Sequence, residues 1–273
     1  LVYPSRTSRL PGFDYDSHAL VFAIPSNTHG LKFICREGFD IGRSKFDHPL
    51  GSRFEEIDAI AVFENVVVPW ERVFLMGDVR LHDDVIKETN LHAHYAHQVV
   101  TRLVVKCEFV LGIAINLVNV LGSEKSPEVR QLIAELIEYL EVMRASLKVS
   151  EIDARVDKWG VMCPAELPLT VAENMFAKVY PRMIEIIQLL GSSNLISLPS
   201  EADLFGPVAD DVKHYLATDS VSGEERMRLL HLAWDSSCSA FASRQVMFER
   251  FFHGDPIANA TRLYDLYDLG PAN

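Results

Sequence analysis

The spacing of apolar positions changes period once along this chain. Up to residue 74, apolar and polar residues alternate in short runs rich in β-branched and aromatic side chains. From residue 79 onward, apolar residues recur every third or fourth position over long stretches. The first period predicts strands and the second amphipathic helices. Candidate strands fall at residues 1–3, 19–25, 31–36, 57–63 and 66–68, separated by turn residues such as Pro11-Gly12 and Pro49 with Gly51 and Ser52. In the joining stretch 46–74, Ile57, Ala59, Ala61 and Phe63 alternate with Asp58, Ile60, Val62 and Glu64. Pro69 closes the run, because proline gives a ladder no donor. These strands are too few to close a barrel and predict part of one.

The helical half begins with residues 82–122, where Val99, Val100, Leu103, Val104, Cys107, Val110, Leu111 and Ile115 place apolar groups nearly all round. That pattern predicts a buried central helix. Ser126-Pro127-Glu128 reads as the next helix start, with serine as N-cap, proline at the first position and an acid in the first turn. Leu132, Leu136, Ile137, Leu140, Met143 and Leu147 then form one stripe. A third helix is expected over 168–191, kinked or split at Pro181, a short one over 208–217, and a fourth over 222–252. At 1.5 Å per residue the fourth is on the order of 45 Å long. The expected fold is α+β, mostly α. A partial β-barrel domain (1–75) precedes a C-terminal antiparallel four-helix bundle domain (80–273), with no strands among the helices.

A length of 273 residues allows one large or two modest domains. A net charge of −12 without a Lys/Arg block argues against nucleic acid. No uninterrupted apolar run reaches the roughly 18 residues of a membrane span, and Leu1-Val2-Tyr3-Pro4 does not read as a signal peptide. No membrane association is expected. Cys35, Cys107, Cys163 and Cys238 are far apart with no CxxC pair, which predicts buried free thiols and a cytoplasmic location. The abrupt start on a strand is expected of a piece of a longer protein.

No GxGxxG, P-loop, GxSxG or HExxH motif is present, so nucleotide dehydrogenase, kinase, serine hydrolase and zinc protease readings lose support. His94 and His97 share a helix face beside His92. Apart from Glu88, no carboxylate or cysteine at helical spacing completes a ligand set, and no metal is expected. Gln188, Gly191, Ser192, Ser193 and Asn194 end the third helix. They form either a glycine cap or a nest of N–H groups for phosphate oxygens. Arg102 and Lys106 lie i,i+4 amid apolar residues and require partners. A ligand phosphate or an acid such as Glu108 would serve. Arg244 is a further candidate phosphate partner.

Several stretches carry a resemblance. HPLGSRFEEIDAIAVFENVVVPWERVF at 48–74, IIQLLGSS followed by LPSEAD, and Ser243-Arg244-Gln245 to Phe252 before Gly254-Asp255-Pro256 resemble the flavin-dependent aromatic hydroxylase family typified by the 4-hydroxyphenylacetate 3-hydroxylase oxygenase component. The resemblance covers residues 1–264, and family members extend further at the N-terminus. It implies an acyl-CoA dehydrogenase-like fold and FAD, used as FADH2 supplied by a separate NADH-dependent flavin reductase. It also implies a homotetramer, and O₂-dependent ortho-hydroxylation of a small phenol such as 4-hydroxyphenylacetate. It assigns Gln188, Gly191, Ser192, Ser193 and Asn194 to the flavin pyrophosphate across a subunit interface, with Arg102, Lys106 and Arg244 as further cofactor contacts. It assigns Ser5, Arg6, Leu10 and Phe13 to the substrate, on a lid at 5–17. Arg6 stands where the family usually has threonine, and its planar fork suits a substrate carboxylate. The catalytic acid–base residues are expected in the N-terminal region outside this sequence, and the chain by itself is expected to be inactive. Two related chemistries lack their marks. No Tyr-Glu-Gly segment matches an acyl-CoA dehydrogenase, and seven residues beyond His97 and His94 stand Val104 and Thr101, not the cysteine of a 4-hydroxybutyryl-CoA dehydratase. The alternatives are another flavoenzyme of this fold, or a catalytically silent bundle used for assembly.

Overall fold

The computed structural model describes residues 1–3, 19–39, 42 and 44–270. The expected lid, with Ser5, Arg6, Leu10 and Phe13, lies outside the described residues. Two compact units emerge, Leu1–Glu37 with Glu56–His92, and Gly38–Glu55 with Ala93–Asn273. This division differs from a boundary between 75 and 80. Gly38–Glu55, which carries the short helix α1 (Gly51–Phe54), goes with the long helices.

In the first unit, β1 (Leu20–Phe22) pairs antiparallel with β4 (Val73–Met76), and β2 (Leu31–Cys35) with β3 (Ala59–Phe63). The β2–β3 register runs without a break from Leu31 opposite Phe63 to Cys35 opposite Ala59. Gly30 admits the chain to β2 at φ +86°, where a Cβ would lie 2.3 Å from the Glu64 carbonyl oxygen, so only glycine fits. The alternation read over 57–63 does not bury one face. Ile60 is 67 % exposed and Ile34 60 %, in a sheet of only two described strands. The strand expected at 1–3 is a single bridge from Val2 to Phe22. Residues 66–68 are not a strand. Asn65 turns out of the ladder at φ +51°, and pairing resumes only at β4. Helix α2 (Val79–Glu88), capped by Asp78, closes this unit.

The second unit holds α3 (Leu91–Leu121), α4 (Pro127–Ile152), α5 (Glu166–Gly191), α6 (Ser193–Ile196), α7 (Ala209–Tyr215), α8 (Gly223–Ser237), α9 (Ala240–Phe251) and α10 (Pro256–Leu266). Ser126 caps α4 with Pro127 behind it, and Ser222 with Glu225 forms a capping box on α8. Each such cap is worth ~1 kcal/mol. The core joins Val99, Leu103 and Leu117 of α3, Leu136 and Met143 of α4, Phe176, Met183 and Ile187 of α5, and Leu230 of α8. The mostly helical α+β architecture is thus as expected.

Several boundaries are not. The stretch 82–122 breaks into α2 and α3 at Asn90, which adopts φ +50°. Helix α3 buries one side only, leaving Val105, Phe109 and Ile115 exposed. It is also long and apolar enough to cross a membrane by length and composition, at mean hydropathy 1.9. Arg102 and Lys106 interrupt its apolar runs and hide this from a run count. Pro181 does not divide α5, which is helical on both sides of it. The helix expected over 222–252 is two. Ser236 and Ser237 hydroxyls donate back to the Ala233 carbonyl (3.0 and 2.6 Å), and Ser239 restarts the chain as the α9 cap by accepting from the Ala242 N–H. Serines that bond locally compete with the helix ladder. Between α4 and α5 a hairpin of β5 (Arg155–Val156) and β6 (Met162–Cys163) places strands where none were expected. The Asp157 carboxylate shapes it by accepting from the Trp159 and Val161 N–H groups.

Candidate functional site

The turn joining α5 to α6 carries five of the predicted cofactor residues. Gln188 sits in the last turn of α5, and its Nε2 donates to the Ser237 carbonyl at 2.6 Å. Gly191 is buried, and a Cβ there would lie 2.6 Å from Leu195 Cγ and Cδ1. Glycine is therefore what lets Leu195 fold back beneath the turn. Ser192 follows at φ +46°, ψ −139°, a conformation that costs a non-glycine residue about 1–3 kcal/mol. Ser192 and Ser193 are exposed. Asn194 turns inward, its Nδ2 donating to the Gly191 carbonyl (3.2 Å) and its Oδ1 accepting from Arg226 Nη2 (3.1 Å). The turn thus places two exposed serines beside the buried Gly191, residues whose hydroxyls can donate to anionic oxygens.

Arg102 and Lys106 do meet a buried acid, the alternative to a ligand phosphate, but it is not Glu108. Glu249 of α9, fully buried, accepts a two-pronged bond from Arg102 (2.5 and 2.9 Å) and also pairs with Lys106. Lys106 reaches Gln245 Oε1 at 2.9 Å and lies over the Tyr180 ring. Glu108 instead pairs with Arg144. Burial by itself would raise the Glu249 carboxyl, but the Arg102 hydrogen bond and the Lys106 charge outweigh it and hold the group below its ordinary range. Burial lowers Lys106 and raises the Tyr180 phenol. Arg244 stacks over Phe248 at 5.6 Å.

The histidine pair lines a separate cavity of about 290 Å³ with Glu151, Ala154, Met162 and Pro164, and His97 Nε2 is 3.0 Å from Glu151. Among the described residues no group of three ligating side chains gathers. Cys107 is buried in the core, its thiol pushed up to about 12 by burial and the Glu249 charge, while Cys35 is exposed. All four thiols are free, but only Cys107 is buried, so the expectation of four buried thiols does not hold.

Segment 38–55 is clasped by α8. Asp235, 1 % exposed, accepts from the Leu50 and Gly51 N–H groups at 2.7 and 2.8 Å, and so caps α1. His231 bonds the Pro199 carbonyl and lies 3.3 Å from Asp47. Sequence reasoning missed Arg226, Ser237, Asp235 and Glu249. Each acts on a residue distant in the chain, 147 positions away for Glu249 and Arg102, and no spacing rule reports such a pair.

Comparison with known proteins matches two family models, 4-hydroxyphenylacetate 3-hydroxylase N terminal over residues 1–75 and C terminal over 83–273. The chain is 44 % identical over 272 residues to a 4-hydroxyphenylacetate 3-monooxygenase oxygenase component from Geobacillus sp. (strain PA-9), covering 99 % of this chain and 55 % of that protein. It superposes with TM-score 0.89 and 42 % identity on a crystal structure of such an oxygenase component complexed with FAD and 4-hydroxyphenylacetate, covering 93 % of this chain and 53 % of that one. A 4-hydroxybutyryl-CoA dehydratase from N. maritimus shares the fold, with TM-score 0.80 at 20 % identity over 92 % of this chain and 50 % of that one. The chain spans about half the length of the relatives it matches.

Proposed function

The chain belongs to the 4-hydroxyphenylacetate 3-hydroxylase family, and on that premise we propose that it forms the flavin-cradling part of the oxygenase component of a two-component flavin monooxygenase. The whole enzyme takes FADH2 from a separate NADH-dependent reductase and, with O₂, hydroxylates a phenol such as 4-hydroxyphenylacetate ortho to its hydroxyl. The bound flavin supplies the oxygen chemistry, and the protein supplies position and exclusion of water.

The observation that carries this reading is the α5–α6 turn, with Ser192 and Ser193 turned outward over the close-packed Gly191. Its hydroxyls suit pyrophosphate oxygens, and Gln188 and Asn194 flank them. Arg244 stays in the proposed contact set. Arg102 and Lys106 leave it, because both side chains are bonded to Glu249. Leu189, Ile196 and Phe205, at 51, 85 and 82 % exposure, lie near the turn in sequence. Such apolar surface suits a second copy, in keeping with a homotetramer that shares its flavin sites. Four free thiols accord with a cytoplasmic location. On this reading Ser5, Arg6, Leu10 and Phe13 contact the substrate, and the acid–base residues belong to the part of the relatives' length not covered here.

Gly191→Val tests the turn. The added side chain displaces Leu195 and with it α6. Loss of a charge-assisted phosphate contact, roughly 1.5–3 kcal/mol, weakens reduced-FAD binding about 10–150-fold in anaerobic equilibrium dialysis. Circular dichroism should be unchanged. Unaltered affinity would make the turn a helix cap and nothing more.

A further inference from the structure

We propose that α8 is the template that holds the 188–194 turn in its ligand-ready shape, through Arg226 at one end and Ser237 at the other. This rests on the flavin reading of that turn. Gln188 and Asn194 then act as positioning residues, and the ligand meets Ser192 and Ser193 between them.

The bonds on the two flanks dictate the orientation of both amides. The Ser237 carbonyl can only accept, so the amide nitrogen of Gln188 must face it at 2.6 Å, which fixes the flip of that side chain. The carbonyl is available because α8 ends at Ser237 and α9 restarts from the Ser239 cap. The Arg226 guanidinium can only donate, so the amide oxygen of Asn194 must face it at 3.1 Å. That leaves Asn194 Nδ2 to close on the Gly191 carbonyl at 3.2 Å. Arg226 also donates to the Leu216 carbonyl (3.4 Å), which ties the clamp to the end of α7.

The two anchors are about three helical turns apart on α8, and the strained Ser192 lies between the residues they hold. A backbone in that region persists only when its surroundings over-determine it. Two side chains with forced orientations, both anchored on one helix, provide that constraint. The exposed serines are therefore ordered before any ligand arrives, and binding does not have to order them.

The test compares the wild-type protein with Arg226→Gln, Arg226→Lys, Asn194→Ala and the Arg226→Gln/Asn194→Ala double variant. Hydrogen exchange without ligand reads three amides, Ser192 (to the Gln188 carbonyl), Leu195 (to Ser192) and Ser197 (to Ser193). Calorimetry reads FAD affinity. Arg226→Gln and Asn194→Ala should each speed exchange at these amides about tenfold and weaken FAD about tenfold, the scale of one charge-assisted hydrogen bond. The double variant should be no worse than either single one, and Arg226→Lys should recover part of the loss. If Arg226→Gln does not fold, Asn194→Ala alone carries the test, because it leaves α8 intact. Unchanged exchange in Asn194→Ala, or additive losses in the double variant, would overturn the clamp. Gly191→Val weakening FAD while Arg226→Gln and Asn194→Ala do not would also overturn it, with the flavin site left standing. FAD binding indifferent to Gly191→Val would instead remove the flavin reading, and the exchange measurement would still decide the clamp.

Discussion

Glu249→Gln puts the buried charge cluster of α3 and α9 to a quantitative test. The substitution keeps the shape of the side chain and removes its charge, leaving Arg102 and Lys106 side by side with no anion between them. Removing one partner of a buried pair costs roughly 3–5 kcal/mol. Here both cations keep a path to water, with side chains 28 and 20 % exposed, and glutamine retains one acceptor. The expected loss at pH 7 is therefore about 2–3 kcal/mol. For a chain of 273 residues that lowers Tm by about 4–6 °C. The acid dependence has a definite sign. The Glu249 carboxyl is held below its ordinary value of 4.5. Its contribution is therefore complete above pH 4.5 and disappears as pH falls through the lower folded value. Urea unfolding followed by tryptophan fluorescence, at pH 7 and again in acid below that value, reads both effects. Wild type should exceed Glu249→Gln at pH 7 by a gap that narrows in acid, with equal m-values. Equal stability at pH 7, or a gap that persists unchanged in acid, would refute an ionised, stabilising Glu249.

Three further expectations can be checked independently. Asp235→Ala strips the Leu50 and Gly51 N–H groups of their charged acceptor. It should cost about 3 kcal/mol and accelerate limited proteolysis within 38–55, and unchanged cleavage there would dismiss the clasp. Alkylation of the native protein at pH 8, followed by peptide mass spectrometry, should label exposed Cys35 and spare Cys107, whose thiol is pushed up to about 12. Comparable rates would contradict the burial. Arg6→Ala in the active enzyme should raise KM for 4-hydroxyphenylacetate about 10–150-fold more than for an uncharged phenol. Equal effects on the two would mean that Arg6 does not recognise a carboxylate.

Periodicity alone gave the order of architectures, strands then helices. It also placed the apolar stripe of α4, of which Leu136, Leu140 and Met143 are buried, and the end of α5 at Gly191. These features are local: a repeat of two or 3.6 residues, a cap or a glycine acts within a few positions of itself. The family resemblance rested on the same kind of contiguous text, above all the run from His48 to Phe74. What the sequence left open was decided by partners far along the chain. Arg102 and Lys106 needed an anion, and only folding chose Glu249 over Glu108. Gln188 and Asn194 were legible as part of a cap or cradle, but their bonds to Ser237 and Arg226 of α8 were not. The joining stretch 46–74 falls whole within the expected barrel domain, yet Asp235 draws Leu50 and Gly51 onto α8 while Ala59–Phe63 pairs with β2. The helix expected from 222 to 252 broke because its serines had a competing use for their hydroxyls. A charge or an amide in the sequence states a demand for a partner, and only the tertiary structure supplies the group that meets it.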